Sequence, residues 1–316
     1  MNYRRLGNSG LQLSEIGLGG WLTVGNALAK DQAQSVLEAA LAVGINFLDT
    51  ANVYAKGKAE TVWGELLKGK RRDSYVLASK VYFPMGEEPN QSGLSRKHVM
   101  EQCAASLKRL KTDHIDLYQC HRYDEDTPLE ETVRAMDDLI KQGKILYWGF
   151  SQWTPDQVQA CLELCGDEGF YAPKGSQPQY NALQRDWERE LFPLCAGNGI
   201  GQVCFSPLAE GVLTGKYRPD EAPPQGSRAG DAKQNQFIRQ LTGNPEVLAK
   251  VQRLEPIAQD QGCTMAQLAL AWCLRRPEVT SVIVGASRPQ QLHENAEASG
   301  IELDPDTVAR IDAALS

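Results

Sequence analysis

Asp49, Tyr54, Lys80 and His121 are the side chains whose types and spacing point to chemistry. Asp49 lies in the apolar run INFLDTA (45–51), and Tyr54 follows it in the next connection. YVLASKV (75–81) carries Lys80 near its end, and IDLYQCH (115–121) ends on His121. Singly, each has an ordinary role: a turn-forming Asp, a first solvated Lys, a structural His, a Tyr packed at a rim. Together they make a proton-donating group. A phenol with a reference pKa near 10 is a weak acid at neutral pH. A neighbouring ammonium is expected to stabilise the phenolate and lower that value by roughly 1–3 units. Asp49 would hold Lys80 charged and in place. His121 would orient a carbonyl oxygen or share the proton with Tyr54. Such a set protonates an oxygen as negative charge develops on it. It supplies no electrons, so a reduction requires a hydride donor from elsewhere.

These residues need a scaffold that brings them to one place. Short apolar runs recur along the chain: IGLGG (16–20), INFLDTA, YVLASKV, IDLYQCH, LYWGFS (146–151), SQPQY (176–180), GQVCFSPL (201–208) and SVIVGAS (281–287). SQPQY is the weakest strand candidate, because its proline disfavours a central strand. Amphipathic stretches lie between the runs. Val36, Ala40 and Val43 share a helical face, and Gly44 is a stop. Ser95 caps a helix with a stripe of Val99, Cys103, Ser106, Leu107 and Leu110. Thr127 reads as the next cap, with Pro128 at the first helical position, Glu130 completing a capping box, and Gly143 after the end. LGNSGLQLSE near the start reads as a hairpin. Eight strands alternating with helices predict an α/β fold, a (β/α)8 TIM barrel with an N-terminal β-hairpin. No linker or composition shift divides residues 1–316, so one barrel domain is expected. A long connection, about 209–244, is rich in Gly, Pro and charge and follows the seventh strand, at the face where such barrels build their sites.

Composition narrows the classes. The chain has 316 residues, 42% hydrophobic and 23% charged, and a net charge of −7. That balance argues against non-specific nucleic-acid binding. The apolar runs fall far short of the roughly 20 residues of a membrane span. The first ten residues, MNYRRLGNSG, have no apolar signal-peptide core, so a cytoplasmic protein is expected. Eight cysteines without a CxxC read as reduced core thiols. Four histidines without HExxH give no zinc signature. GLGGWLTVG (17–25) is not the Rossmann fingerprint, and GVLTGKY (211–217) lacks the Walker spacing, so a dinucleotide would bind by another route.

GINFLDTANVYAKGKAE, LASK, the strand ending in His121, GFSQW, QPQYN, FSPLAEGVLTGKY and VIVGASRPQQLHEN together resemble the aldo-keto reductase superfamily, in the family's order and over nearly the whole chain. DTAxVYAxGKAE, GLSRKH, TPxEETVRAM and LAxAWCLR are most similar to its potassium-channel β-subunit branch. The resemblance implies an NADPH-dependent carbonyl reductase. Tyr54 would be the general acid, Lys80 and Asp49 would tune it, and His121 would position the carbonyl. In the channel branch the His position is often Asn, so His121 departs toward the ordinary enzymes.

Cofactor residues carry over by motif. Gly20, Trp21 and Leu22 match the nicotinamide side of the first strand. Ser151 and Gln177 match the pair on the carboxamide, and Phe205 the aromatic stacked on the nicotinamide. Ser206, Leu208, Gly211 and Lys216, with Ser227 and Arg228 further on, match the pyrophosphate loop. Gly285, Ser287, Arg288, Gln291, Glu294 and Asn295 match the adenosine end. Many reductases carry Arg where Gln291 stands. Arg288 and Arg228 are close enough in motif to supply that charge to a 2′-phosphate, so NADPH is the expected cofactor.

Trp21, Phe83, Tyr123 and Trp153, beside the motifs, are expected to wall a substrate pocket. The chain stops soon after its last helix, in DPDTVARIDAALS, which implies an open site for short aldehydes and some ketones. The alternative is a regulatory, NADPH-binding, homo-oligomeric or channel-bound partner of a membrane potassium channel. A barrel hydrolase would need a metal cluster or a carboxylate pair at the strand ends, and Asp49 stands there alone.

Overall fold

The computed structural model describes residues 1–21, 23–231 and 238–316. A hairpin opens the chain, with β1 (Tyr3–Arg5) antiparallel to β2 (Gln12–Ser14). The apolar runs then become parallel strands: β3 (Ile16–Gly19), β4 (Phe47–Asp49), β5 (Val76–Val81), β6 (Ile115–Cys120), β7 (Ile145–Ser151), β8 (Gly175–Gln177), β9 (Gly201–Phe205) and β10 (Val279–Val284). Among the described residues these eight close into a barrel in chain order, with β10 pairing back onto β3. Residues on both faces of these strands are buried, which is why they read as continuous apolar runs rather than alternating ones.

The crossover helices are α1 (Lys30–Ala42), α2 (Lys58–Leu66), α3 (Arg96–Leu110), α4 (Leu129–Lys141), α5 (Pro155–Glu168) and α6 (Leu191–Gly197). After β9 come α7 (Arg239–Thr242), α8 (Pro245–Gln252), α9 (Glu255–Asp260) and α10 (Met265–Leu274). After β10 come α11 (Pro289–Ala296) and α12 (Pro305–Leu315). Their apolar faces and the outward faces of the strands form the large outer core. Inside the barrel, Phe47, Val76, Ala78, Leu117, Val203 and Ile283 pack with Leu6 and Leu13 of the hairpin segment. The hairpin thus closes one end of the barrel. Arg4 ties it down, pairing with Glu15 at 2.6 Å and donating to the carbonyls of Arg276 and Val279.

The Ser95 hydroxyl accepts from the backbone N–H of His98, and Gly44 takes a positive φ of 85° just past α1. Thr127 is a correction. The cap of α4 is Pro128, and the Thr127 hydroxyl instead donates to Asp124 at 2.7 Å, while Glu130 pairs with Arg134. The charge-assisted bond to this carboxylate fixes the Thr127 hydroxyl on Asp124, and no helix N–H among the described residues donates to it. SQPQY is a second correction. β8 stops at Gln177, since Pro178 has no N–H for the ladder, and only an isolated bridge joins Gln179 to Phe205. The connection after β9 is also less open than its composition suggests, with a short helical turn over Ala209–Thr214.

Candidate active site

The barrel brings three of the four candidate residues to one end from neighbouring strands. Asp49 ends β4, Lys80 lies one residue from the end of β5, and His121 follows β6 directly. β5 pairs with both of the other strands, so the order is fixed by the ladder. Tyr54 enters from the connection after β4, at the start of a short 3-10 turn (Tyr54–Gly57), where Ala55 and Lys56 both take positive φ. Non-glycine residues rarely adopt that conformation, and its occurrence beside a reactive group is typical of functional sites.

Lys80 is fully buried and its ammonium is saturated. It donates to Asp49 at 2.6 Å, to the Thr50 carbonyl at 2.8 Å and to the Tyr54 hydroxyl at 3.4 Å. The other Asp49 oxygen accepts from Gln177 at 3.0 Å. Burial opposes the charged ammonium, but Asp49 and Tyr54 outweigh it and hold Lys80 above its ordinary pKa. Tyr54 is a correction. Burial raises its hydroxyl above the ordinary value, and Lys80 only partly offsets this. The expected lowering fails because burial opposes the phenolate more strongly than Lys80 favours it, and the Asp49 charge adds to the rise. Tyr54 is therefore a fully protonated donor at neutral pH.

His121 is buried, with its ring edge-on to Tyr54 at 5.8 Å and to Phe83 at 4.9 Å between centroids. Burial, then the charges of Lys80 and Arg122, drive its pKa well below the usual value. The imidazole is neutral, with one N–H to donate and no second positive charge beside Lys80. Its Nδ1 has no partner among the described residues. Arg122 was not singled out from the sequence. Its only signal there was adjacency to His121.

Trp21 stands at the mouth, 37% exposed, with its ring 6.5 Å from that of Tyr54. Phe83 and Tyr123 are half-buried nearby in sequence to the site strands. Trp153 is a further correction. It is wholly buried, stacked on Phe150 at 5.1 Å and edge-on to Tyr123 at 5.0 Å. It braces Tyr123 rather than presenting a face to a substrate.

The cofactor candidates fall in three groups around the same end. Ser151 and Gln177 end paired strands, and the Ser151 hydroxyl donates to the Gln177 carbonyl at 2.8 Å. Gly20 follows β3, where an added Cβ would come 2.6 Å from the Trp63 indole nitrogen, so only glycine fits. Leu22 lies outside the described residues.

Phe205 ends β9 and is half-buried. Beyond it Ser206, Ala209, Glu210 and Gly211 all take positive φ, making a tight turn. A Cβ on Gly211 would meet Lys216 Nζ at 3.2 Å. Leu208 is half-buried and Lys216 exposed, beside a cleft of about 330 Å³ that Thr214, Arg218 and Gln252 help to line. Ser227 is buried, and Arg228 pairs with Glu210. Glu210 was missed as an individual residue, though a carboxylate inside a glycine-bearing turn was a readable signal.

The third group surrounds the start of α11. Gly285, Ser287, Arg288 and Glu294 are exposed, and Asn295 is buried. Gln291 Oε1 accepts from the backbone N–H groups of Ser287 and Arg288 and from the Ser287 hydroxyl. Gln291 thus holds the helix start in shape, with the exposed Arg288 beside it. These residues fit an anionic dinucleotide: several cations, a helix N-terminus and a strained turn face one end of the barrel.

Residues 15–316 match the family model described as aldo/keto reductase family. The chain belongs to the aldo/keto reductase family. A protein of Arabidopsis thaliana named as a probable voltage-gated potassium channel subunit beta is 44% identical to it over 94% of this chain and 91% of its own length. An Oryza sativa subsp. japonica protein of the same name is 41% identical over 100% of this chain and 97% of its own. Aldo/keto reductase membership carries oxidoreductase chemistry, and it agrees with a closed barrel and with proton-donating side chains at one end. No helix among the described residues is long and apolar enough to cross a membrane.

Proposed function

We propose that this aldo/keto reductase uses NADPH to reduce aldehydes, and some ketones, to alcohols. The observation that carries the reading is the Asp49–Lys80–Tyr54 chain beside a neutral His121. Lys216, Arg228 and Arg288 would hold the phosphates, Ser151 and Gln177 the carboxamide, and Phe205 the ring face. The bound dinucleotide supplies the hydride.

The chain's own residues handle the oxygen. His121 donates one N–H to the carbonyl oxygen and aims it at Tyr54. As negative charge grows on that oxygen, the Tyr54 hydroxyl gives up its proton to it. Lys80, held by Asp49, then stabilises the phenolate left behind. Keeping His121 neutral matters here, since a second cation beside Lys80 would oppose the ammonium. Trp21, Phe83 and Tyr123 offer ring faces to a short or aromatic aldehyde.

The test is NADPH consumption over a panel of aldehydes and ketones, repeated with NADH. Tyr54→Phe should lower kcat by about 10²–10⁴-fold while leaving the dissociation constant for NADPH unchanged. A protein that binds NADPH and reduces no carbonyl would sink the reading.

The names of the relatives favour a second role, a cytoplasmic partner of a membrane potassium channel, compatible with turnover. Titration of a purified potassium-channel cytoplasmic domain against this protein would decide it, and no binding at micromolar concentration would remove it.

A further inference from the structure

The turn after β9 contains a carboxylate where an anion is expected to bind. Glu210, in a left-handed conformation (φ 58°), accepts from the Ser206 hydroxyl and pairs with Arg228. Its side chain is only 8% exposed, so the pair is poorly screened by solvent. Ser206 and Arg228 are two of the groups that the proposed cofactor reading allots to the pyrophosphate. The Ser206 carbonyl is fixed by Asn181 at 3.0 Å, and the turn is closed by a backbone bond from Gly211 to Leu208 at 2.9 Å. These bonds fix the backbone from which the Glu210 side chain reaches Ser206 and Arg228.

We propose that Glu210 is an internal stand-in for the dinucleotide's pyrophosphate: it occupies Ser206 and Arg228 in the free protein, and the cofactor must displace it. This rests on the cofactor reading above and deepens it, since it names the residue that weakens binding and hastens exchange. A phosphate arriving at Arg228 meets a guanidinium already neutralised and a carboxylate that repels it. The same pair tethers the loop carrying Arg228 to the end of the barrel when no dinucleotide is bound.

The variant is Glu210→Gln, which keeps shape and a hydrogen-bond acceptor but removes the charge. Two readouts are taken on the full chain. The first is calorimetric titration with NADP+, where E210Q should bind on the order of tenfold tighter, given the strength of a charge-assisted bond. The second is limited trypsin digestion without nucleotide, read by mass spectrometry. Cleavage after Arg228 should quicken in E210Q, while cleavage after the exposed Lys68, far from this loop in sequence, serves as the internal control. Glu210→Ser is the second variant should the amide misfold, with the same expectations. Wild-type binding with equal or weaker binding by E210Q overturns this inference alone. Unchanged cleavage after Arg228 also overturns it, because the tether would be absent. If neither protein binds a dinucleotide, the cofactor reading falls and this inference falls with it.

Discussion

Replacing Lys80 with Met should unmask how much of the site's order depends on one buried ion pair. Methionine keeps most of the apolar stem, so the change is chiefly the loss of a charge. The ammonium is fully buried and makes its bonds to Asp49, the Thr50 carbonyl and Tyr54. Without it, the 5%-exposed Asp49 side chain keeps a single neutral donor, Gln177. Breaking a buried pair by removing one partner costs about 3–5 kcal/mol. With an unfolding entropy of about 2.1 cal/mol/K per residue, 316 residues place the loss in Tm at about 5–8 °C. The assay is thermal and urea unfolding at pH 7. The double variant Lys80→Met/Asp49→Asn removes both charges, so it should recover most of the loss. A drop below about 1 kcal/mol, or no recovery in the double variant, would refute a buried, mutually dependent pair. The sign of the pH dependence is also fixed. Lys80 is raised above its ordinary 10.5, so its contribution is complete below that value and is lost as pH rises through the folded one. The gap between wild type and the single variant should therefore close only in strong alkali.

Two other expectations follow from burial. His121 is depressed well below 6.5, so stability should fall as pH drops below that value, by up to about 1.4 kcal/mol per pH unit. His121→Asn should flatten that acid limb in urea titrations, and a wild-type reduction rate with an inflection near 6.5 would show the imidazole titrating normally instead. Of the eight free cysteines only Cys263 is not buried, and burial raises its thiol too. A disulfide-exchange reagent should thus count one slow thiol in the native protein and eight in denaturant, and fast labelling of several would contradict the packing.

Much of this was legible without coordinates. Strand runs follow from burial on both faces, which writes unbroken apolar stretches into the chain, and helix ends follow from Ser95 and Gly44. The four site residues were legible because a parallel barrel must carry every strand's end to the same face. What failed did so through competition between neighbours in space. Asp124 took the Thr127 hydroxyl, and Trp153 turned inward to Phe150.

The sequence alone determined that strands, turns and a Lys, Tyr, Asp and His would meet at one barrel end, because local pattern and chain order suffice for that. Only the tertiary structure decided their charge states. Adjacency predicts that Lys80 acidifies Tyr54, yet desolvation, with the Asp49 charge adding to it, reverses the sign. It also placed Glu210 against Ser206 and Arg228, a contact that joins a turn to a distant loop. Electrostatic terms depend on burial and on every charge within a few ångströms, and neither quantity is written in spacing along a chain.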